Sequence, residues 1–456
     1  MNSTGDPLKL SSMAPELSPD LLQSRPGLPC PPRTPLWHDD PNVPFTLSTH
    51  IIDAAPLRTF PQITSLDDVL MPAYNQMLAS NLDTKGRQKV AKEQVRLMLK
   101  WRREHEEARD AQNTTGFERH LWVCLNRYVK KDLDKVPRKA KGLTLFFVHA
   151  LGPNKETWEP TIMRLVKSGA GRDVEEIWVW ESVDTGDSAL LNSGKLNQLP
   201  DWYDGARDVI HFFTHYLPSR VTSDELPVHL PRVSAAEFQD RQSLGFAERK
   251  IIGIGHSFGG NVCARTCYSY PQCFSALVMV DPGIIKLNDP TLRPTLTFMA
   301  QGAFARKNYW TSREDALSTH KKSPFFGVWH PEALRMFIEG GLYRPSSSEE
   351  TVYLKIHPIL EALAYTNGIE KSEDMYAKFP SLDEKVYIKF VMPDKKKGGG
   401  LAGSESSDRL VKLRPKNTSN VNILGSNHMI PLEKPDELAR EIADTIEIVC
   451  GTSAKM

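Results

Sequence analysis

The apolar residues of this chain fall into short, dense runs separated by amphipathic stretches. "LTLFFVHA" (143–150) is nearly continuous, the pattern of a strand buried on both faces. "EEIWVWESV" (175–183), "RKIIGIG" (249–255), "ALVMVD" (276–281), "KVYIKFVMPD" (385–394) and "NVNILG" (420–425) repeat it. Upstream, "PFTLSTHIIDA" (44–54) alternates and reads as a first strand, and "RHLWVCLNRYV" (119–129) is a strand candidate. Between these runs lie helical stretches: "EPTIMRLVKSG" (159–169), "DWYDGARDVIHFFTHYL" (201–217), "NVCARTCYSY" (261–270) and a final amphipathic "PDELAREIADTIEIV" (435–449). Strands that alternate with helices predict an α/β fold. The sheet is then mostly parallel, of about eight strands, with helices on both faces.

Four segments break this rhythm. Residues 1–43 are Pro-rich, with "RPGLPCPPRTPLW" at their heart, and read as an extension or strap on the surface. Residues 66–112 are helical and carry interleaved charges of both signs, which predicts an exposed helix inserted in the core and not a nucleic-acid arm. The interval 287–380 is long, largely helical and rich in aromatics, so it reads as a cap inserted between two strands of the sheet. "DKKKGGGLAGSESSD" (394–408) reads as a mobile loop. The resulting map is an extension (1–43), a core in two parts (44–286 and 381–453), the cap (287–380) and a terminal tripeptide (454–456).

The run at 249–255 leads into "IIGIGHSFGGNVCA" (251–264), which holds Gly255-His256-Ser257-Phe258-Gly259 between a strand and a helix. A G-x-S-x-G in that context is a nucleophile elbow: small neighbours give room for a sharp turn that lifts the Ser257 hydroxyl above the sheet. The helix N-terminus behind it favours developing negative charge. A serine hydroxyl needs a base, and the chain order for this architecture is Ser, acid, His. His428 completes that order, in a loop between the last strand and the last helix. For the acid two candidates stand. Asp281 ends "ALVMVD", 24 residues past Ser257, in a turn stiffened by Pro282. Asp394 ends the next strand and opens a Lys- and Gly-rich run. Rigidity favours Asp281, with Asp394 as the alternative. The oxyanion donors are assigned to the backbone N–H groups of Phe258 and Leu151, the latter in "HALGPNKETW" after the first central strand.

Composition narrows the function further. The net charge of +1 offers no global field for nucleic acid or an anionic membrane. No run approaches a membrane span, and the first residues lack the apolar segment of a secretory signal. The six cysteines form no C-x-x-C pair, which suits small buried thiols in a reducing compartment, so neither a metal nor a cofactor is expected. The chain ends Ala454-Lys455-Met456, a small residue, a base and an unbranched apolar residue, the pattern read by the peroxisomal import receptor. If that tripeptide is not used, the cytoplasm is the alternative location.

"VHALGPNKETW", "GIGHSFGG", "VDPGI" and "GSNHMIPLEKPDEL" together resemble the α/β-hydrolase superfamily. "FTLSTHIIDAAPLRTFPQIT", the long cap and the terminal tripeptide resemble a fungal branch that includes peroxisomal hydrolases of toxin and mycophenolic-acid biosynthesis. The resemblance implies hydrolysis of acyl-CoA or ester intermediates, and an acid after the strand that follows the nucleophile, which is Asp281. Ala150 stands where the family carries Gly, and residues 66–112 and 219–247 look like insertions. The chemistry expected is cleavage of an acyl thioester or ester through an acyl-enzyme, with an acyl-CoA hydrolase preferred. A lipase or carboxylesterase and an acyltransferase or cyclase are the enzymatic alternatives. A non-catalytic binding protein on the same scaffold is the alternative of another class.

Overall fold

The computed structural model describes residues 8, 13–62, 66–112, 116–131, 133, 141–197, 199–346 and 350–451. The tripeptide 454–456 lies outside the described residues. Eight strands form the central sheet: β1 (Phe45–Asp53), β2 (Trp122–Lys130), β3 (Gly142–Val148), β4 (Val174–Trp180), β5 (Arg249–His256), β6 (Ala276–Val280), β7 (Tyr387–Pro393) and β8 (Thr418–Ile423). Their spatial order is β1-β2-β4-β3-β5-β6-β7-β8. Only β2 runs against its neighbours, pairing antiparallel with β1 and with β4; all other pairs are parallel. The α/β fold with a mostly parallel sheet is therefore as the sequence pattern predicts.

The period-2 alternation of each strand splits the core into two layers. On β3, Leu143, Leu145 and Phe147 point into one apolar cluster, while Phe146 and Val148 point into the other. The first layer is covered by α2 (Glu159–Lys167) and α9 (Pro435–Cys450). The second is covered by α3 (Trp202–His211) and α4 (Phe258–Ser269), and beyond them by α1 (Thr84–Gln112) with the segment between β6 and β7. That segment folds as α5 (Leu292–Ala305), α6 (Arg313–Lys321), α7 (Pro331–Gly341) and α8 (Pro358–Lys378). It also carries a small antiparallel sheet of Tyr309–Trp310, Leu342–Tyr343 and Val352–Leu354, which the sequence pattern did not reveal because two or three residues carry no period.

Three expectations change. The charged helix α1 is not simply exposed. Ala91, Val95, Met98 and Arg102 recur at intervals of three and four and are buried as one stripe, where α1 packs on α5 and α8. The stripe is narrow, so the charges on the other faces hide it in any count of composition. The stretch 394–408 is not a free loop: it forms a short turn at Lys395–Lys397 and a helix at Gly403–Leu410, with Ser407 Oγ donating to Gly399 O at 2.7 Å. The Pro-rich extension is pinned down. Arg33 pairs with the fully buried Glu159, Leu36 N–H donates to Glu159 Oε2 at 2.8 Å, and Trp37 is buried with its indole N–H on Phe45 O. A run of prolines does not suit the interior of a helix or of a central strand, but its fixed φ leaves little entropy to lose on docking.

The segment at 219–247 has a local purpose. Ile51 N–H donates to Val228 O at 2.7 Å, and Leu230 N–H donates to Ile51 O at 3.3 Å. Residues 228–230 thus cover part of the outer edge of β1, which would otherwise offer unpaired backbone groups.

Candidate active site

Strand β5 ends at His256 and α4 begins at Phe258, so Ser257 must turn the chain in one residue. It does so at φ 54°, ψ −115°, a conformation that costs an L-residue energy and persists only where the surroundings enforce it. The flanking glycines are what permit it. A Cβ on Gly255 would lie 2.3 Å from Gly259 O, and a Cβ on Gly259 would lie 2.3 Å from Val148 O. Both obstacles are backbone and cannot swing aside. The turn is held from behind, where Ser257 N–H donates to Val280 O and Gly283 N–H donates to Ser257 O.

The Ser257 hydroxyl meets His428 Nε2 at 3.0 Å, and the opposite ring nitrogen, Nδ1, meets Asp281 Oδ2 at 2.5 Å. A carboxylate against Nδ1 keeps the ring proton on that nitrogen and turns the Nε2 lone pair to the serine. Asp281 follows β6 with φ 34°, a second strained position in the same site. Its Oδ2 also accepts the N–H of Leu401 at 3.1 Å, so the 394–408 stretch closes over the carboxylate. All three side chains are largely withdrawn from water.

The structure brings Asp281 and not Asp394 to His428. Asp394 caps the turn at Lys395–Lys397 and accepts the N–H groups of Lys396 at 2.9 Å and Gly425 at 2.8 Å. The Gly425 and Lys396 N–H groups hold its carboxyl below the ordinary range. Its own N–H donates to Ser426 O. Asp394 therefore ties down the loop that carries His428. The ring of His256, beside Ser257 in sequence, donates from Nε2 to His428 O at 2.8 Å. Burial, and then the facing His428, push His256 well below the ordinary histidine value, so it stays neutral. Neither support was foreseen, because each is a contact between residues over 30 positions apart.

The backbone N–H groups of Leu151 and Phe258 donate to no acceptor among the described residues. Phe258 is the first residue of α4, where a helix leaves its N–H unused. The loop carrying Leu151 is fixed by His149, whose Nδ1–H donates to Ala150 O at 2.6 Å while Nε2 accepts Ser182 N–H at 3.0 Å.

Two cavities meet at Leu151. One holds Ser257 and His428 beneath Met299, Phe325, Phe326, Trp329 and Phe337 from the segment between β6 and β7. The other lies behind the loop among Asp184, Asp201, Asp204, Trp202 and Phe258. Further back, Cys124, Glu181 and Asp187 come close enough to hold a cation, but Lys155 Nζ already lies 3.1 Å from Glu181 and 2.7 Å from Asp187.

Buried neutral imidazoles make stability depend on pH. Burial takes His149 and His50 down to about 4, and both are 1% exposed. An unfolded ring protonates near 6.5. As pH falls from about 6.5 to about 4 the unfolded chain gains protons first, so stability present above 6.5 is lost across that window. Each ring should cost about 2 kcal/mol between pH 7 and pH 5. Urea unfolding at the two pH values measures it, and His50→Gln should remove one ring's share; an unchanged pH difference in that variant would refute the assignment.

A family model described as "Alpha/beta hydrolase family" matches residues 145–441, more than half of the chain. Type I acyl-CoA thioesterase mpaH of Penicillium brevicompactum is 27% identical over 203 residues, 44% of this chain and 40% of that protein. The chain thus spans about two fifths of the length of that relative. Peroxisomal membrane protein LPX1 of Saccharomyces cerevisiae is 23% identical over 355 residues, 73% of this chain and 82% of that protein. The solved structure titled peroxisomal alpha-beta-hydrolase Lpx1 from the same yeast has a TM-score of 0.52 at 17% identity, over 74% of this chain and 85% of that one. That likeness is one of fold.

Proposed function

Because the chain belongs to the alpha/beta hydrolase family, we propose that it is a serine hydrolase that cleaves acyl thioesters, acyl-CoA foremost, through an acyl-enzyme. The observation that carries this reading is the continuous path from Ser257 Oγ through His428 to Asp281. Ser257 Oγ attacks the acyl carbon while His428 Nε2 takes its proton. The carbonyl electrons move onto oxygen, where the N–H groups of Leu151 and Phe258 stabilise the charge. When the intermediate collapses, the bond to the leaving sulfur breaks and His428 returns the proton to it. Water, deprotonated by the same nitrogen, then releases the acid and restores Ser257. Asp281 holds the imidazole in its tautomer and stabilises the imidazolium.

Two observations support the substrate class: the similar protein mpaH is a type I acyl-CoA thioesterase, and the cavity at Ser257 has largely apolar walls. The segment between β6 and β7 serves as a cap that keeps water from the acyl group. The test is turnover of acyl-CoAs of graded length beside p-nitrophenyl and glycerol esters of the same acids. Acyl-CoA should give the highest kcat/KM. A higher value for the oxygen esters would make the protein an esterase or lipase, and a product that retains an added amine or alcohol would make it an acyltransferase.

The name of the yeast relative and the terminal Ala454-Lys455-Met456 support a peroxisomal location, through the import receptor. No helix among the described residues is long and apolar enough to cross a membrane. A fluorescent protein fused ahead of the full chain should collect in peroxisomes and disperse when the three residues are deleted. Unchanged collection would place the address elsewhere.

A further inference from the structure

Beyond Ser257, His428 and Tyr365, the lining of the cavity at Ser257 is polar only where one charged pair reaches it. Its lining includes Met299, Phe325, Phe326, Trp329, Phe337 and Met429, yet Arg306 and Glu361 also reach it. Arg306 follows α5 and is rigidly placed: its N–H donates to Ala303 O at 3.2 Å and its carbonyl accepts Tyr74 O–H at 2.7 Å. Its guanidinium is ion-paired through Nη2 to Glu361, in the first turn of α8. Glu361 lies against the oxyanion loop, for a Cβ on Gly152 would come within 2.8 Å of its Oε1. The pair therefore stands beside the carbonyl-binding end of the cavity.

One pairing does not satisfy an arginine, which has five N–H donors in a planar fork. Among the described residues, Glu361 is the single hydrogen-bond partner of the Arg306 side chain, and Nε is buried with no acceptor. Leaving donors unpaired against an apolar wall is unfavourable unless something fills them on binding. The complement of such a fork is an anionic oxygen group, a carboxylate best of all, because its two oxygens match the fork's spacing. Glu361 fixes the fork's orientation and leaves the remaining edge for the ligand.

We infer that Arg306 binds a second carboxylate on the acyl chain, so that the site selects acyl esters and thioesters of dicarboxylic acids over neutral acyl groups of the same length. This deepens the acyl-transfer reading and rests on it. A phosphate on the leaving group has related chemistry. The acyl carboxylate is favoured because Arg306 lines the same cavity as Ser257 and His428, among the aromatic side chains of the segment between β6 and β7.

The experiment compares glutaryl thioesters with their ω-methyl esters, each as the CoA and the N-acetylcysteamine thioester, on wild type, Arg306→Gln and Arg306→Lys. Wild type should prefer the free carboxylate by at least about tenfold in kcat/KM, and Arg306→Gln should bring that ratio near one. Arg306→Lys, which keeps the charge and loses the fork, should restore part of it. No preference in wild type, or a ratio unchanged in Arg306→Gln, overturns the inference. So does a loss that follows CoA over N-acetylcysteamine whatever the acyl group, which would assign Arg306 to phosphate. Calorimetry of the glutaryl and methyl-ester N-acetylcysteamine thioesters on Ser257→Ala separates this from the catalytic reading. Binding that favours glutaryl there, and loses that preference in Ser257→Ala/Arg306→Gln, supports the inference even if wild type turns over neither; equal binding of both thioesters to Ser257→Ala overturns it.

Discussion

Ser257→Ala is expected to lower kcat by about 10⁵- to 10⁶-fold on every thioester or ester the wild type turns over, with KM little changed. The reason is that the substitution removes the hydroxyl oxygen that meets His428 Nε2 at 3.0 Å, while leaving the fold intact. Alanine is smaller than serine and fits the same elbow, whose shape is set by Gly255 and Gly259. Residual turnover would come from the oxyanion N–H groups and substrate binding alone. A fluorophosphonate reports the same chemistry without knowledge of the substrate: wild type should be labelled at Ser257 and the variant should not. Equal labelling of both proteins, or turnover within tenfold of wild type, would remove Ser257 as the nucleophile and favour a binding protein on a hydrolase scaffold.

The second large effect separates two aspartates. Asp281→Asn should reduce kcat by about 10⁴-fold, because an amide opposite Nδ1 no longer holds the proton there and the wrong tautomer faces Ser257. Asp394→Asn should cost less than about tenfold. Asp394 reaches His428 only through the turn at Gly425 and Ser426, its own N–H donating to Ser426 O, and an asparagine side-chain oxygen can still accept the Gly425 N–H. If Asp394→Asn falls as far as Asp281→Asn, the geometry seen here is not the working one.

Much of this site is written locally. An elbow needs a strand, a serine between glycines and a helix, all within the fourteen residues 251–264, and sterics dictate its shape. The order Ser257, Asp281, His428 follows from where strands end along the chain. The choice between Asp281 and Asp394 was approached through rigidity, and that criterion pointed to Asp281. Its premise was only half right. The Lys- and Gly-rich stretch after Asp394 is not loose; it folds back so that Leu401 N–H binds Asp281 itself. Composition cannot reveal that a glycine-rich turn is wanted for close approach, and a Cβ on Gly400 would come within 2.6 Å of Asp281 Oδ1. The burial of α1 was missed for a similar reason. Four inward positions among 29 do not register against the surrounding charge.

By itself, the sequence determined the fold class, the strand–helix alternation and the identity of the elbow. Those properties depend on residues near one another, through periodic burial, backbone sterics and turn chemistry. Only the tertiary structure decided which carboxylate meets His428, that His256 and Asp394 support the loop bearing it, and that Arg306 and Glu361 share the cavity with Ser257. These depend on how separate elements pack. A buried polar atom must find its partner wherever the fold delivers one, however far along the chain that partner lies.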